Sequence, residues 1–127
     1  MYAAGAPHRH KQPSAKLLET IATGALDAGV DAEVLQEVLH RYRMLGQWEL
    51  GRRVYTLARR ILPVVVPITA EILDAARALL DGDARLTARD ALHAAACDLA
   101  GARALCSYDR DFDRIPGMRR VEPDDLI

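Results

Sequence analysis

The sequence predicts an α/β sandwich built on a mostly parallel sheet. Two observations carry that reading. Helical stretches with one apolar face alternate with short β-branched runs, the pattern of parallel strands joined by helices. A run of aspartates, "SYDRDFD" (107–113), follows directly on one such apolar run, and in parallel sheets sites form at the carboxyl ends of strands. A chain of 127 residues is long enough for one core, so residues 1–127 are read as a single domain.

The elements follow in order. "PSAKLLETIA" carries Leu17, Leu18 and Ile21 at helical spacing, starts near Pro13 and stops near Gly24. "ALDAGV" is a short strand. Asp31 caps "AEVLQEVLHRYRML", whose apolar face is Leu35, Val38, Leu39 and Tyr42. Gly46 breaks that helix, and "WELGRRVYTLARRIL" runs to Pro63. "VVVPI" is β-branched and bounded, hence a buried strand. Thr69 caps "AEILDAARALL" with a stripe of Ile72, Ala76 and Leu79, and "DGD" turns the chain. Thr87 caps "ARDALHAAACDLA", with Leu92, Ala95, Ala96 and Leu99 on one face and Gly101 at its end. "ARALCSY" is a second buried strand and "MRRVEP" an edge strand stopped by Pro123.

Composition narrows the function classes. Half the residues are apolar and the formal charge is −1, so no strongly basic footprint for non-specific nucleic-acid binding exists. A local patch would have to supply it, and Arg52, Arg53, Arg59 and Arg60 on the third helix are the candidates. Cys97 and Cys106 fit no zinc spacing and read as two buried small hydrophobes. His8 and His10 in "PHRH" read as a basic loop. No apolar run approaches the ~20 residues of a membrane span. No signal peptide is visible, so a cytoplasmic location is the expectation.

The acids are the candidates for chemistry. Asp109, Asp111 and Asp113 crowd a strand's carboxyl end, where an Asx-turn is the bland reading. Phe112, the only phenylalanine, anchors that loop by packing inward, and Asp113 pairs with Arg114 at the surface. Asp90 sits three residues after Thr87, in near-capping-box spacing at a helix N-terminus. His93, one turn on, is within reach of Asp90, although a lone histidine is more often structural, and both readings stand. Glu37 borders the apolar face of its helix, either solvated or paired with an arginine. Acids on several elements repel one another unless a hard cation such as Mg²⁺ or Mn²⁺ takes their oxygens.

The run Arg89-Asp90-Ala91-Leu92-His93-Ala94-Ala95, then a strand, then Ser107-x-Asp109-x-Asp111-Phe112 and Ile115-Pro116-Gly117, resembles the C-terminal half of PIN-domain ribonucleases, especially the VapC-type toxins of bacterial toxin–antitoxin pairs. "VLQEVLHRY" looks like the family's glutamate-bearing helix. The resemblance implies a three-layer α/β/α sandwich and a Mg²⁺- or Mn²⁺-dependent endoribonuclease. It implies Glu37, Asp90 and Asp109 as catalytic acids, with Asp90, Asp109 and Asp111 on the metal. Ser107 would bind substrate phosphate or orient the acids. It also implies an RNA substrate, a cognate antitoxin and a homodimer.

One departure stands out. The family opens with a strand ending in Asp-x-Asn, whereas "MYAAGAPHRHK" looks like the segment after that motif and no aspartate precedes Asp27. The expectation is therefore a PIN-like domain truncated at its N-terminus and missing its first strand. A shortened nuclease, or another carboxylate or partner strand filling the gap, are the competing accounts. The rival function is a catalytically impaired PIN-like module acting by protein–protein contact. A small α/β phosphatase or phospho-acceptor domain needs a first-strand aspartate and a Lys or Thr on later strand ends, an arrangement this sequence lacks.

Overall fold

The computed structural model describes residues 8–127. Among them, five α-helices alternate with four short strands: α1 Lys11–Ala22, β1 Val30–Asp31, α2 Ala32–Met44, α3 Trp48–Ile61, β2 Val65–Val66, α4 Ala70–Gly82, α5 Ala88–Leu99, β3 Leu105–Cys106 and β4 Arg120–Val121. One 3₁₀ turn, Arg110–Arg114, connects β3 to β4, and another, Pro123–Asp125, follows β4. The predicted alternation is present, with all five helices where the spacing put them. No described strand precedes α1; the expected loss of a first strand falls outside the described residues.

Three predicted caps form as their chemistry requires. Asp31 Oδ1 accepts from the Val34 amide, Thr69 Oγ1 from Ile72 and Thr87 Oγ1 from Asp90. Each satisfies one of the amides a helix start leaves without a partner. Pro13 lies inside the first turn of α1, where its missing N–H costs nothing. The "DGD" turn is shorter than expected, because α4 continues to Gly82.

Among the described residues the strands pair as β1 with β2 and β3 with β4, both parallel, in two two-stranded ladders. Between β1 and β2 runs the α2–α3 hairpin; between β3 and β4 runs the 3₁₀ turn. The reading of "VVVPI" and "ARALCSY" as buried strands needs correction. Val65, Val66 and Leu105 are half-buried and Cys106 is exposed, because each described ladder is only two residues long and sits at the margin of the core, with Val66 and Leu105 packed against it. Cys106 is therefore not the buried hydrophobe expected of it.

The core gathers around α4 and α5. Ile72, Ala76, Leu86, Ala91, Ala94, Ala95, Ala96, Phe112 and Ile115 form one buried cluster. Phe112 packs inward as predicted. Leu99 does not: it is 46% exposed, and alanines make the contact face of α5. Small side chains let neighbouring elements approach closely. A second packing site joins α2 to α3, where a side chain on Gly51 would collide with the Tyr42 ring and its Cβ.

Candidate metal centre

Asp90 projects from the first turn of α5, while Asp109 and Asp111 lie at the carboxyl end of β3 and the start of the 3₁₀ turn. One carboxylate oxygen from each lies within 4.8 Å of the other two. Asp90 is half-buried and the other two are exposed. Burial pushes the Asp90 carboxyl above the usual carboxylate range, and the charges of Asp109 and Asp111 push it the same way. Oxygen-only ligands converging on one point, with mutual repulsion raising the pKa of one, are the donor set for a hard divalent cation. The three residues present fit Mg²⁺ or Mn²⁺.

The loop carrying two of these acids is held by its own turns. Ser107 Oγ accepts from the Asp109 amide at 3.0 Å, and Asp109 Oδ1 accepts from the Asp111 amide at 2.9 Å. The Asx-turn expected of Asp109 is present, and the Ser107 hydroxyl fastens the start of the same loop. Arg114 donates through Nε (3.2 Å) and Nη2 (2.8 Å) to Asp83 Oδ2 at the end of α4. Its Nη1 stands 3.6 Å from Asp111 Oδ1. Asp113 is not the partner of Arg114; it accepts from Arg120 at 2.8 Å.

Glu37 does not join that cluster. Its carboxylate pairs with Arg89 at 2.7 Å, beside Asp90 on α5. An arginine partner was one of the two readings of Glu37, and it lies across from α2 rather than on it. His93 does not bond Asp90. Its Nδ1 lies 2.6 Å from Asp31 Oδ2, beneath the cap of α2. Burial pulls the His93 pKa down, but the bond to Asp31 and the charges of Asp31, Glu37 and Asp90 outweigh it, leaving it raised.

Asp31 is the residue that sequence reasoning undervalued. It was legible as a cap, yet its second oxygen is what ties α2 to α5. Its place at the end of "ALDAGV", a strand terminus, was the available signal. His8 Nδ1 accepts from the His10 amide, and the His10 ring stacks on Tyr108 at 3.8 Å. Arg52, Arg53 and Arg60 line one shallow groove on α3 with Thr56 and Leu57.

A helix-rich α/β fold with parallel strand pairs thus brings three carboxylates together at one end of β3 and α5. The family model described as "PIN domain" matches residues 1–118. The chain is 37% identical over 121 residues, 95% of its length, to Ribonuclease VapC13 of Mycobacterium tuberculosis and to VapC ribonuclease Mb1869c of Mycobacterium bovis, covering 92% of each. It is 31% identical over 109 residues to Ribonuclease VapC23 of Mycobacterium tuberculosis, 86% of both chains. No solved structure gave a significant match. The chain belongs to the PIN-domain family, in its VapC-type branch.

Proposed function

We propose that this protein is a Mg²⁺- or Mn²⁺-dependent endoribonuclease, the toxin of a toxin–antitoxin pair, working on RNA in the cytoplasm. The observation that carries the reading is the convergence of Asp90, Asp109 and Asp111 in a chain of the PIN-domain family. Those three carboxylates would hold the ion. When bound, the ion supplies a water of lowered pKa and neutralises charge on the phosphate oxygens. Glu37, tethered by Arg89 at 2.7 Å, would be the acid that orients the attacking water. Ser107 keeps its own hydroxyl proton for a phosphate oxygen, since its Oγ serves the Asp109 amide as acceptor. The α3 arginines would draw the RNA backbone. A cognate antitoxin and a homodimer complete the reading. No described helix is long and apolar enough to cross a membrane.

The experiment is cleavage of an RNA panel with and without Mg²⁺. Asp90→Asn should lower the metal-dependent rate by two orders of magnitude or more, about 2.7 kcal/mol in barrier. Undiminished cleavage by that variant would remove the metal-centre assignment. A second reading, a PIN-like binding module without catalysis, is favoured by the two arginines that already neutralise Glu37 and approach Asp111. Absence of Mn²⁺ binding by the unaltered chain would select it.

A further inference from the structure

Asp31 is the one buried charged residue among the described residues. Capping α2 does not demand this. Ser, Thr or Asn caps a helix as well, and a buried carboxylate is costly without a partner. The cap occupies Oδ1 alone, through the Val34 amide at 3.1 Å. Oδ2 reaches the other half of the chain, to His93 Nδ1 at 2.6 Å. The two side chains are 7% and 13% exposed, so the bond is shielded from water.

A second tie runs between the same helices, Glu37 on α2 to Arg89 on α5, and it is more exposed. The order of the ties is reversed: Asp31 precedes Glu37 along the chain, but its partner His93 follows Arg89 along α5. The two ties therefore set an antiparallel crossing. Asp90 lies on α5 between the two tied residues, on the turn that faces Asp109 and Asp111.

We propose that Asp31 and His93 are positioning residues for the acidic centre. Their buried bond locks the rotation and height of α5 against α2, and so presents the Asp90 carboxylate to Asp109 and Asp111. The inference rests on the metal-centre reading above and adds residues that act on it from behind. Neither side chain belongs to the cluster, and the positioning runs through the backbone of α5. Groups behind metal ligands change metal affinity when they fix where a ligand points, and here the fixing is of the helix that carries Asp90.

The test is Mn²⁺ affinity of the full chain by electron paramagnetic resonance, read beside the metal-free melting temperature. Asp31→Ser keeps the cap of α2 but cannot reach His93. His93→Ala removes the bond from the other side. His93→Asn places an amide where Nδ1 stood and restores a donor to Asp31. Asp31→Ser and His93→Ala should each weaken Mn²⁺ binding by about 10–100-fold, and His93→Asn should recover most of it. Wild-type affinity in Asp31→Ser and His93→Ala, with or without a lowered melting temperature, would reduce the pair to a structural contact and overturn the inference. If His93→Ala does not fold, Asp31→Ser and His93→Asn decide alone. Should the unaltered chain bind no Mn²⁺, the metal-centre reading fails and the inference goes with it, an outcome distinct from failure of the pair.

Discussion

Asp90 shows a conflict between stability and chemistry at the level of one residue. Its carboxyl pKa is raised in the fold, so the folded state holds the proton more tightly than the unfolded chain. Stability is then lost as pH rises from the unfolded value of 3.8 through the raised one, and at neutral pH the ionised group opposes folding. Asp90→Asn should therefore raise the melting temperature without metal while abolishing stabilisation by added Mg²⁺, both read by calorimetry. For the unaltered chain, saturation to about 100 times Kd should add about 2.7 kcal/mol. His93 responds to pH through its buried bond to Asp31, which favours the protonated imidazole in the folded state. Its folded pKa is raised above 6.5, so its contribution is complete below that value and disappears as pH climbs through the folded one. Urea titrations across this range should show that loss in the unaltered protein and a flatter profile in Asp31→Ser. What the sequence made legible here was uneven. Asp90, Asp109 and Asp111 were named from their residue type and place, and they converge. The partners of His93, Asp113 and Arg114 were not, because neighbours in sequence were assumed where neighbours in space, 62, 7 and 31 residues away, were the ones chosen.

Elements were the most readable scale. Helical spacing and three hydroxyl or carboxylate caps located α2, α4 and α5 almost to the residue. Strands were harder, since each ladder is two residues long and an apolar run of that length carries no period of its own. Burial also misled: Leu99 lies on the predicted stripe of α5 but past the end of what α4 covers. Gly51 gives a sharper test of helix pairing. In an exposed helix, Gly→Ala stabilises by roughly 0.5–1 kcal/mol. Here the new methyl would meet Tyr42, and overpacking costs about 1–3 kcal/mol. Gly51→Ala should lower the melting temperature, whereas Gly82→Ala, whose Cβ meets nothing within 4 Å, should not incur that clash.

For the whole molecule, a formal charge of −1 means that RNA must be gathered by a local surface rather than a general field. Arg52, Arg53 and Arg60 share one groove on α3, while the acids repel the same phosphates. An Arg53→Ala/Arg60→Ala double variant should weaken RNA binding and flatten its dependence on salt. On single-stranded RNA each phosphate that an arginine neutralises adds about 0.7 to the slope of log affinity against log salt. An unchanged salt slope in filter binding would place the RNA elsewhere. The fold class was readable at this scale because alternation of elements survives errors in their boundaries. The pairing of the described strands, β1 with β2 and β3 with β4, was not, because nothing local in a two-residue strand names its neighbour.

The alanine face of α5 has a consequence in time. Ala91, Ala94 and Ala96 are at most 1% exposed, so water and proteases reach that helix backbone only after large parts of the chain have come apart. Amides of α5 should be among the slowest to exchange with deuterium, while those of α1 and α3, with one buried residue each, exchange from brief partial openings. The helix that carries Asp90 would then outlast fraying at the periphery. A protein nicked or loosened at its edges would keep that wall of the acidic centre intact for as long as its core holds.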